Sequence, residues 1–307
     1  MLIRLPHPRR VFTLALGLIM MLIQASCASN PAASAQEGGS GALQSTLTPP
    51  TSQPDMNTQI TITPQSCSEE KGSIQDITIL SSVLGEDINF KVYLPACYDE
   101  KSSRRYSVLY MLHGQSSLED QWVRVGLFEK MDELVQQGIV EPFLIVLPNE
   151  LRSNLEANQS PFGDALLQDV IPYVDDHFNT CSERDCRAIG GLSRGGNWAV
   201  HLGFAHPELF KAVGAHSTPL FYGEIINIIR TVEDPARVGL LPVVFIDVGH
   251  KDPDRDDVIY FLTTIQQLPI QYQFYEYLGY HDEVYWSAHT ADYLKFYNSE
   301  LVPPQDQ

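Results

Sequence analysis

The chain has 307 residues, of which 44% are hydrophobic and 19% are charged, and its formal net charge is −18. This balance is typical of a globular protein with enough chain for one large core. The strong negative charge repels nucleic acid phosphates and anionic lipid head groups, so nucleic acid is excluded as a predicted partner.

The N-terminus has the features of an export signal. Three arginines precede the apolar run 11–23, which is too short and too close to the N-terminus for a permanent membrane span. Residues 1–27 are therefore predicted to be a secretory signal peptide, and the protein is predicted to be exported.

The end of this signal is similar to the lipobox of bacterial lipoproteins, because small residues stand directly before Cys27. One departure is Gln24, which occupies a position where leucine is usual. Cys27 is the predicted lipidation site, with ordinary cleavage after Ala28 or Ala35 as the alternative. A lipid anchor at Cys27 would be the only membrane contact, so the predicted location is the cell envelope or the extracellular space.

Residues 28–66 are rich in Ser, Thr, Pro, Gln, Ala and Gly and have almost no large apolar side chains. Such a segment cannot bury enough surface to offset its ordering entropy, so it is predicted to be a flexible linker. The folded domain is predicted to span residues 67–307.

The cysteine count supports export. Without Cys27, an even number of cysteines remains, as expected in an oxidising compartment. Cys181 and Cys186 bracket a short loop and are predicted to pair, which leaves Cys67 to pair with Cys97. No CxxC pair or histidine cluster has the spacing of zinc ligands, so no metal site is predicted.

The domain begins with two runs typical of strands, 74–83 and 88–94, which are predicted to form a hairpin. Apolar runs then alternate with longer segments typical of helices. The helical segments are predicted at 127–137, 165–178, 197–205, 224–231, 257–267 and 284–297. This alternation predicts an α/β fold with a mostly parallel central sheet and helices on both faces. Ligands bind at the carboxyl ends of the strands in such sheets.

The sequence "GGLSRGG" stands where a strand gives way to a helix and contains the G-x-S-x-G pattern around Ser193. A sharp turn there would lift the serine hydroxyl above the sheet, and its glycines would let the strand and helix approach closely. Ser193 is therefore the predicted nucleophile.

A serine nucleophile needs a base and an orienting acid, and in this architecture both follow it with the acid first. The loop "VGHKDPDRDD" after the run 242–248 offers Asp252 as the predicted acid, with Asp254 and Asp247 as alternatives. The aspartate spacing resembles the start of a calcium loop. However, Asp257 and Thr263 occupy the positions that need glycine and glutamate, so calcium is not predicted.

Nine histidines compete for the role of base. His281 lies between the last predicted strand and the last predicted helix, at the correct edge of the sheet and after the acid. It is the predicted general base.

Backbone N–H groups must stabilise the oxyanion in acyl transfer. The predicted donors are Arg194, which follows the nucleophile, and Gln115, in the loop "LHGQSS" after an early strand. Trp122, shortly after that loop, is a candidate for lining the substrate pocket, with core packing as the alternative.

The blocks "VLYMLHGQSSLEDQW", "PFLIVLP", "RAIGGLSRGGNWAV", "VGHKD" and "GYHDEVYWSAHTADYLKFY" resemble, in order, those of the putative-esterase family of α/β-hydrolases. This family includes enterochelin esterases, S-formylglutathione hydrolases, feruloyl and acetylxylan esterases, and mycolyltransferases. The resemblance covers residues 74–297 and implies the same roles for Ser193, Asp252, His281, Gln115 and Arg194.

Arg194 departs from the family, which more often has methionine or another uncharged residue there. A cation beside the pocket could favour an acidic or sugar-bearing substrate. A salt bridge from Arg194 to a neighbouring acid is the alternative.

The sequence thus predicts an exported or lipid-anchored serine esterase that acts on a small-molecule or carbohydrate ester, such as an acetyl or feruloyl ester, without a cofactor. One alternative is an acyltransferase that passes the acyl group to a sugar hydroxyl. The other is a noncatalytic lipoprotein that binds a glycan or a siderophore.

Overall fold

The computed structural model describes residues 68–306. The predicted signal peptide, the linker, Cys27 and Cys67 lie outside these residues, so the predictions made for them stand as predictions. The strands of the described part are β1 (Ser73–Leu80), β2 (Asp87–Leu94), β3 (Val108–Leu112), β4 (Leu144–Pro148), β5 (Arg187–Leu192), β6 (Ala212–His216), β7 (Val243–Gly249) and β8 (Tyr272–Tyr277).

These strands form one sheet in the order β1-β2-β4-β3-β5-β6-β7-β8. β1 pairs antiparallel with β2 and β2 with β4, while all other neighbours are parallel. The inner strands β3 to β6 are buried along their whole length, whereas β1 alternates between exposed and half-buried residues. Central strands of a parallel sheet are covered on both faces, so the near-continuous apolar runs of the sequence are explained.

The helices that connect the strands are α1 (Gln121–Arg124), α2 (Leu127–Gln136), α3 (Phe162–Ala165), α4 (Ile171–His177), α5 (Arg194–Ala205), α6 (Glu224–Glu233), α7 (Arg255–Ile265) and α8 (Glu283–Glu300). A π-helical turn, Leu166–Val170, joins α3 to α4. None of the helices in the described part is both long enough and apolar enough to cross a membrane.

Two hydrophobic clusters lie on opposite faces of the sheet. Val108, Tyr110 and Leu112 of β3 pack into the cluster formed with α3 to α7, whereas Leu109 and Met111 pack into the one formed with α1, α2 and α8. Successive side chains of a strand point to opposite faces, so a single strand contributes to both clusters. The predicted α/β-hydrolase fold, with its N-terminal antiparallel hairpin, is confirmed.

Several element boundaries differ from the prediction, and two of the differences have a clear cause in the local packing. β1 ends at Leu80, before the predicted 83, because Asp169 accepts hydrogen bonds from the hydroxyls of Ser81 and Ser82 and holds the following residues in a turn. α5 begins at Arg194 and not at 197. A Cβ atom on Gly195 would lie 2.2 Å from the Leu112 carbonyl oxygen, so the glycines serve close packing rather than breaking the helix.

The predicted disulfide between Cys181 and Cys186 is confirmed, and their Cα atoms are 5.7 Å apart. It closes the short loop before β5. The predicted bond from Cys97 to Cys67 remains a prediction, because Cys67 lies outside the described residues.

Candidate active site

Ser193 occupies a strained turn between β5 and α5, with φ of 52° and ψ of −120°. A non-glycine residue rarely adopts a positive φ, and such strain concentrates at functional sites. The Ser193 N–H donates to the His216 carbonyl at 2.8 Å. A Cβ on Gly191 would lie 2.3 Å from the carbonyl carbon of Gly195. The turn therefore depends on the glycines on either side of the serine.

Asp252 and His281 are in direct contact at the carboxyl edge of the sheet. His281 Nδ1 lies 3.0 Å from both carboxylate oxygens of Asp252, so Nδ1–H donates and Nε2 is left as the basic nitrogen. The His281 ring also packs edge-on against Trp286, with ring centroids 5.1 Å apart. This contact and the Asp252 carboxylate fix the orientation of the imidazole.

Ser193 lies on the same edge, because it follows β5 while Asp252 follows β7 and His281 follows β8. The structure thus joins the predicted acid to the predicted base. Within the described residues, no hydrogen bond links the Ser193 hydroxyl to His281. Nucleophile-to-base hydrogen bonds are often long before substrate binds.

The environment shifts the pKa values of this pair in opposite directions. Burial alone would lower the pKa of His281, but its hydrogen bond to Asp252 and the charges of Asp252 and Asp254 raise it above its usual value. Burial alone would raise the pKa of Asp252, but hydrogen bonds from His281 and the Asp254 N–H lower it. An ionised Asp252 beside a strengthened base is the electrostatic arrangement that general-base catalysis requires.

Neither of the two alternative acids is hydrogen-bonded to His281. Asp254 Oδ2 is 3.6 Å from His281 Nδ1, beyond hydrogen-bonding distance, and the Asp254 N–H donates to Asp252 Oδ1 at 2.8 Å. Asp252, Asp254 and His281 also each place one ligand atom within 4.8 Å of the others. A metal ion bound there would compete with the hydrogen bond between His281 and Asp252.

Asp247 is fully buried in β7 and is the centre of a hydrogen-bonded cluster beneath the site. It accepts from His216 Nδ1 at 2.7 Å, from the Tyr285 hydroxyl at 2.6 Å and from the Tyr293 hydroxyl at 2.9 Å. Burial raises the pKa of both tyrosines, which are therefore neutral donors. We call Asp247, His216, Tyr285 and Tyr293 the Asp247 cluster. This cluster was not predicted, and its one local signal in the sequence is an aspartate within an apolar strand.

The predicted oxyanion donors flank Ser193. Arg194 is the first residue of α5, so its N–H has no acceptor within the helix. Among the described residues, the Gln115 N–H donates no hydrogen bond. The preceding Gly114 N–H is held by Gln121 Oε1 at 2.8 Å, and a Cβ on Gly114 would lie 3.7 Å from that of Ser193. The loop that carries Gln115 therefore passes directly beside the nucleophile.

The Arg194 side chain is buried and paired. Its Nε and one terminal nitrogen lie 2.7 and 2.6 Å from the two carboxylate oxygens of Glu150. Of the two predictions for this residue, the salt bridge is therefore confirmed. The idea of a free cation that attracts an acidic substrate is wrong, because Glu150 neutralises the charge.

Trp122 lies in the core. Its side chain has no exposed surface, its indole N–H donates to the Leu112 carbonyl at 2.9 Å, and its ring packs edge-on against His216 and Tyr293. The structure thus offers no face of Trp122 to a substrate. The alternative of core packing describes this residue, and its assignment to the substrate pocket is corrected accordingly.

The sheet order and the serine turn define the class of protein, an α/β-hydrolase. The chain matches the family model described as "Putative esterase" over residues 81–304 and belongs to that family. This confirms the resemblance found in the sequence.

Named relatives include an endo-1,4-beta-xylanase/feruloyl esterase of Xylanibacter ruminicola. It is 29% identical over 193 residues, which are 59% of this chain and 25% of that protein. An acetyl esterase of Caldicellulosiruptor saccharolyticus is 25% identical over 162 residues, 51% of this chain and 60% of that protein. The chain therefore spans less than two thirds of the length of either relative.

Solved structures share the fold. A ferulic acid esterase matches with a TM-score of 0.67 at 26% identity, over 75% of this chain and 99% of that one. The ferulic acid esterase of Anaeromyces mucronatus in complex with ferulic acid matches with a TM-score of 0.63 at 21% identity, over 77% of this chain and 93% of that one.

Proposed function

We propose that this protein is a serine esterase that hydrolyses carboxylic esters through Ser193, His281 and Asp252. The observation that carries the proposal is the hydrogen bond from His281 Nδ1 to Asp252 at 3.0 Å, on the edge of the sheet where Ser193 stands in its strained turn. Membership of the esterase family supports the same reaction.

In the proposed reaction, the Ser193 hydroxyl attacks the ester carbonyl while His281 Nε2 accepts its proton. The Gln115 and Arg194 N–H groups stabilise the negative charge on the carbonyl oxygen. The C–O bond to the alcohol then breaks, and His281 returns the proton to the leaving oxygen. Water then attacks the acyl-enzyme while His281 Nε2 accepts its proton, and this proton passes to the Ser193 oxygen as the acid is released.

The substrate class we propose is an acetyl or feruloyl ester on a carbohydrate. Two relatives support this choice by their names, one a feruloyl esterase joined to a xylanase and the other an acetyl esterase. We also propose that the protein is exported, with Cys27 as the lipidation site, on the strength of the N-terminal residues.

Labelling with a fluorophosphonate probe tests the catalytic proposal. The wild-type protein is expected to be labelled, Ser193→Ala to lose all labelling, and Ser299→Ala, a change in the last turn of α8, to keep it. Labelling of folded Ser193→Ala would assign the reactive residue elsewhere, and no labelling of folded wild-type protein would rule out a serine hydrolase.

The substrate and the location need separate measurements. Hydrolysis of p-nitrophenyl acetate and methyl ferulate, each lost in Ser193→Ala, is expected. For export, incorporation of labelled palmitate into the full chain should disappear in Cys27→Ala. Equal incorporation in both would exclude Cys27 as the anchor.

A further inference from the structure

Two adjoining cavities lie on the side of Ser193 where the loops after β4 and β6 meet. The first has a volume of about 380 Å³ and is lined by residues 156–158, His201 and the segment 221–230. The second has a volume of about 420 Å³ and is lined by residues 220–226, Asp257 and Tyr260. Tyr222 lines both and is 98% exposed. We call this pair of cavities the double groove.

Arg194, the residue after the nucleophile, connects the double groove to the site. Its guanidinium donates to the Leu155 carbonyl, directly before the wall 156–158. The same guanidinium lies 5.2 Å from the ring centroid of Phe221, which belongs to the opposite wall. Both walls therefore contact the side chain of the residue that follows the nucleophile.

The walls of the first cavity present polar side chains that have no partner within residues 68–306. Glu156, Asn158, Asn227 and Arg230 are exposed, and none of their side chains makes a hydrogen bond or ion pair with another described residue. His201 Nδ1 lies 2.8 Å from Glu224 Oε2, so Nε2 is the ring nitrogen that remains for a ligand. Together these side chains offer amide, carboxylate, guanidinium and imidazole groups to one ligand.

The charges within this wall are of both signs. Glu156 and the buried Glu224 oppose Arg230, and His201 is already paired with Glu224. Glu156, Glu224 and, in the second cavity, Asp257 outnumber Arg230, so the double groove repels a polyanion. Its carboxylate, amide and guanidinium groups can hydrogen-bond the hydroxyls of an uncharged ligand. The exposed rings of Tyr222 and Tyr260 add flat apolar faces on which sugar rings can pack.

We propose that the double groove binds the carbohydrate part of the ester substrate, as an uncharged oligosaccharide that passes over Tyr222 and occupies both cavities. This inference rests on the proposed esterase function and adds the site that recognises the alcohol side of the ester. Binding energy from sugars remote from the ester bond then increases kcat/KM for long substrates only.

Kinetics with matched substrates tests the proposal. Tyr222→Ala is expected to reduce kcat/KM for a feruloylated oligosaccharide by about tenfold, the size of one aromatic contact, and to leave methyl ferulate unchanged. Tyr222→Phe should retain the wild-type value, because it keeps the ring. Tyr272→Ala, which removes an exposed ring at the amino end of β8, is the control and should change neither substrate. Equal effects of Tyr222→Ala on both substrates, or none on either, would overturn the proposal.

A binding measurement separates this proposal from the esterase function. Calorimetry on Ser193→Ala is expected to detect xylohexaose, cellohexaose or mannohexaose, with affinity lost in Ser193→Ala/Tyr222→Ala, and to detect no oligogalacturonate. If none of the three neutral sugars binds, or if oligogalacturonate binds equally well, the double groove is not a site for an uncharged glycan. If wild-type protein cleaves neither methyl ferulate nor p-nitrophenyl acetate while a neutral sugar still binds, the esterase function fails and the glycan site stands.

Discussion

Arg194 and Glu150 form a two-pronged ion pair whose side chains are only 9% and 3% exposed. The two residues are 44 positions apart, and the pair ties the start of α5 to the loop after β4. Because a buried charge without its partner is costly, the pair makes the position of each element depend on the other.

Removing one partner is expected to destabilise the fold. Glu150→Gln should lower the free energy of unfolding by about 3 kcal/mol, because it leaves the Arg194 guanidinium buried and unpaired. Urea denaturation measures the change. Glu86→Gln is the control, since its ion pair with Arg152 is about half exposed and should contribute at most about 1 kcal/mol. Equal effects of the two substitutions would mean that the buried pair adds no more than a surface pair.

The pH dependence of activity follows from the shifted pKa of His281. The imidazole must be neutral to accept a proton, and Asp252 and Asp254 raise its pKa above the usual 6.5 against the opposing effect of burial. The kcat/KM for p-nitrophenyl acetate should therefore rise with pH, with a midpoint above 6.5. A midpoint below that value would contradict the assigned environment.

Asp252→Asn removes the charge and leaves one amide oxygen where two carboxylate oxygens face His281 Nδ1. The midpoint of the pH profile should move to lower pH, because the protonated imidazole loses its partner, and kcat should fall by roughly 10³- to 10⁴-fold. Asp254→Asn is the matched control. Asp254 is 3.6 Å from Nδ1 and does not hold the ring, so its loss should shift the midpoint slightly in the same direction and reduce kcat by less than about tenfold. If Asp254→Asn reduces kcat more than Asp252→Asn does, Asp254 and not Asp252 is the acid that orients His281.

The sequence was sufficient to predict the succession of strands and helices along the chain, because it follows from local patterns of apolar residues. The edge of the sheet at which to look for the site then follows from the direction of the parallel strands. Ser193 and His281 were predicted because each stands in a loop directly after a strand. The identity of Glu150 as the partner of Arg194, and of the three side chains that donate to Asp247, could not be predicted in the same way. Each depends on contacts between segments far apart in the chain, and nothing in the neighbouring residues encodes them.

The Asp247 cluster is expected to contribute strongly to stability. Asp247→Ala removes the one acceptor shared by His216, Tyr285 and Tyr293, and buried donors without an acceptor cost about 1 to 3 kcal/mol each. Thermal unfolding should show a large decrease in Tm for Asp247→Ala. Tyr285→Phe, which removes one hydroxyl only, should show a smaller one. Tyr272→Phe changes an exposed ring of β8 and should leave Tm unchanged. If Asp247→Ala lowers Tm as little as this control does, the Asp247 cluster does not stabilise the fold.

The backbone strain at Ser193 predicts an opposition between stability and activity. At φ of 52° and ψ of −120°, a Cβ atom is unfavourable. The free energy of unfolding of Ser193→Gly should therefore be about 1 kcal/mol higher than that of Ser193→Ala. Both variants lack the hydroxyl and should have no esterase activity. Ser299 in α8 supplies the control with the opposite sign, since glycine in a helix is about 1 kcal/mol less stable than alanine. Urea denaturation of the four variants decides the matter. If glycine is the less stable residue at both positions, the turn at Ser193 stores no strain, and the nucleophile is held in place by its hydrogen bonds and packing alone.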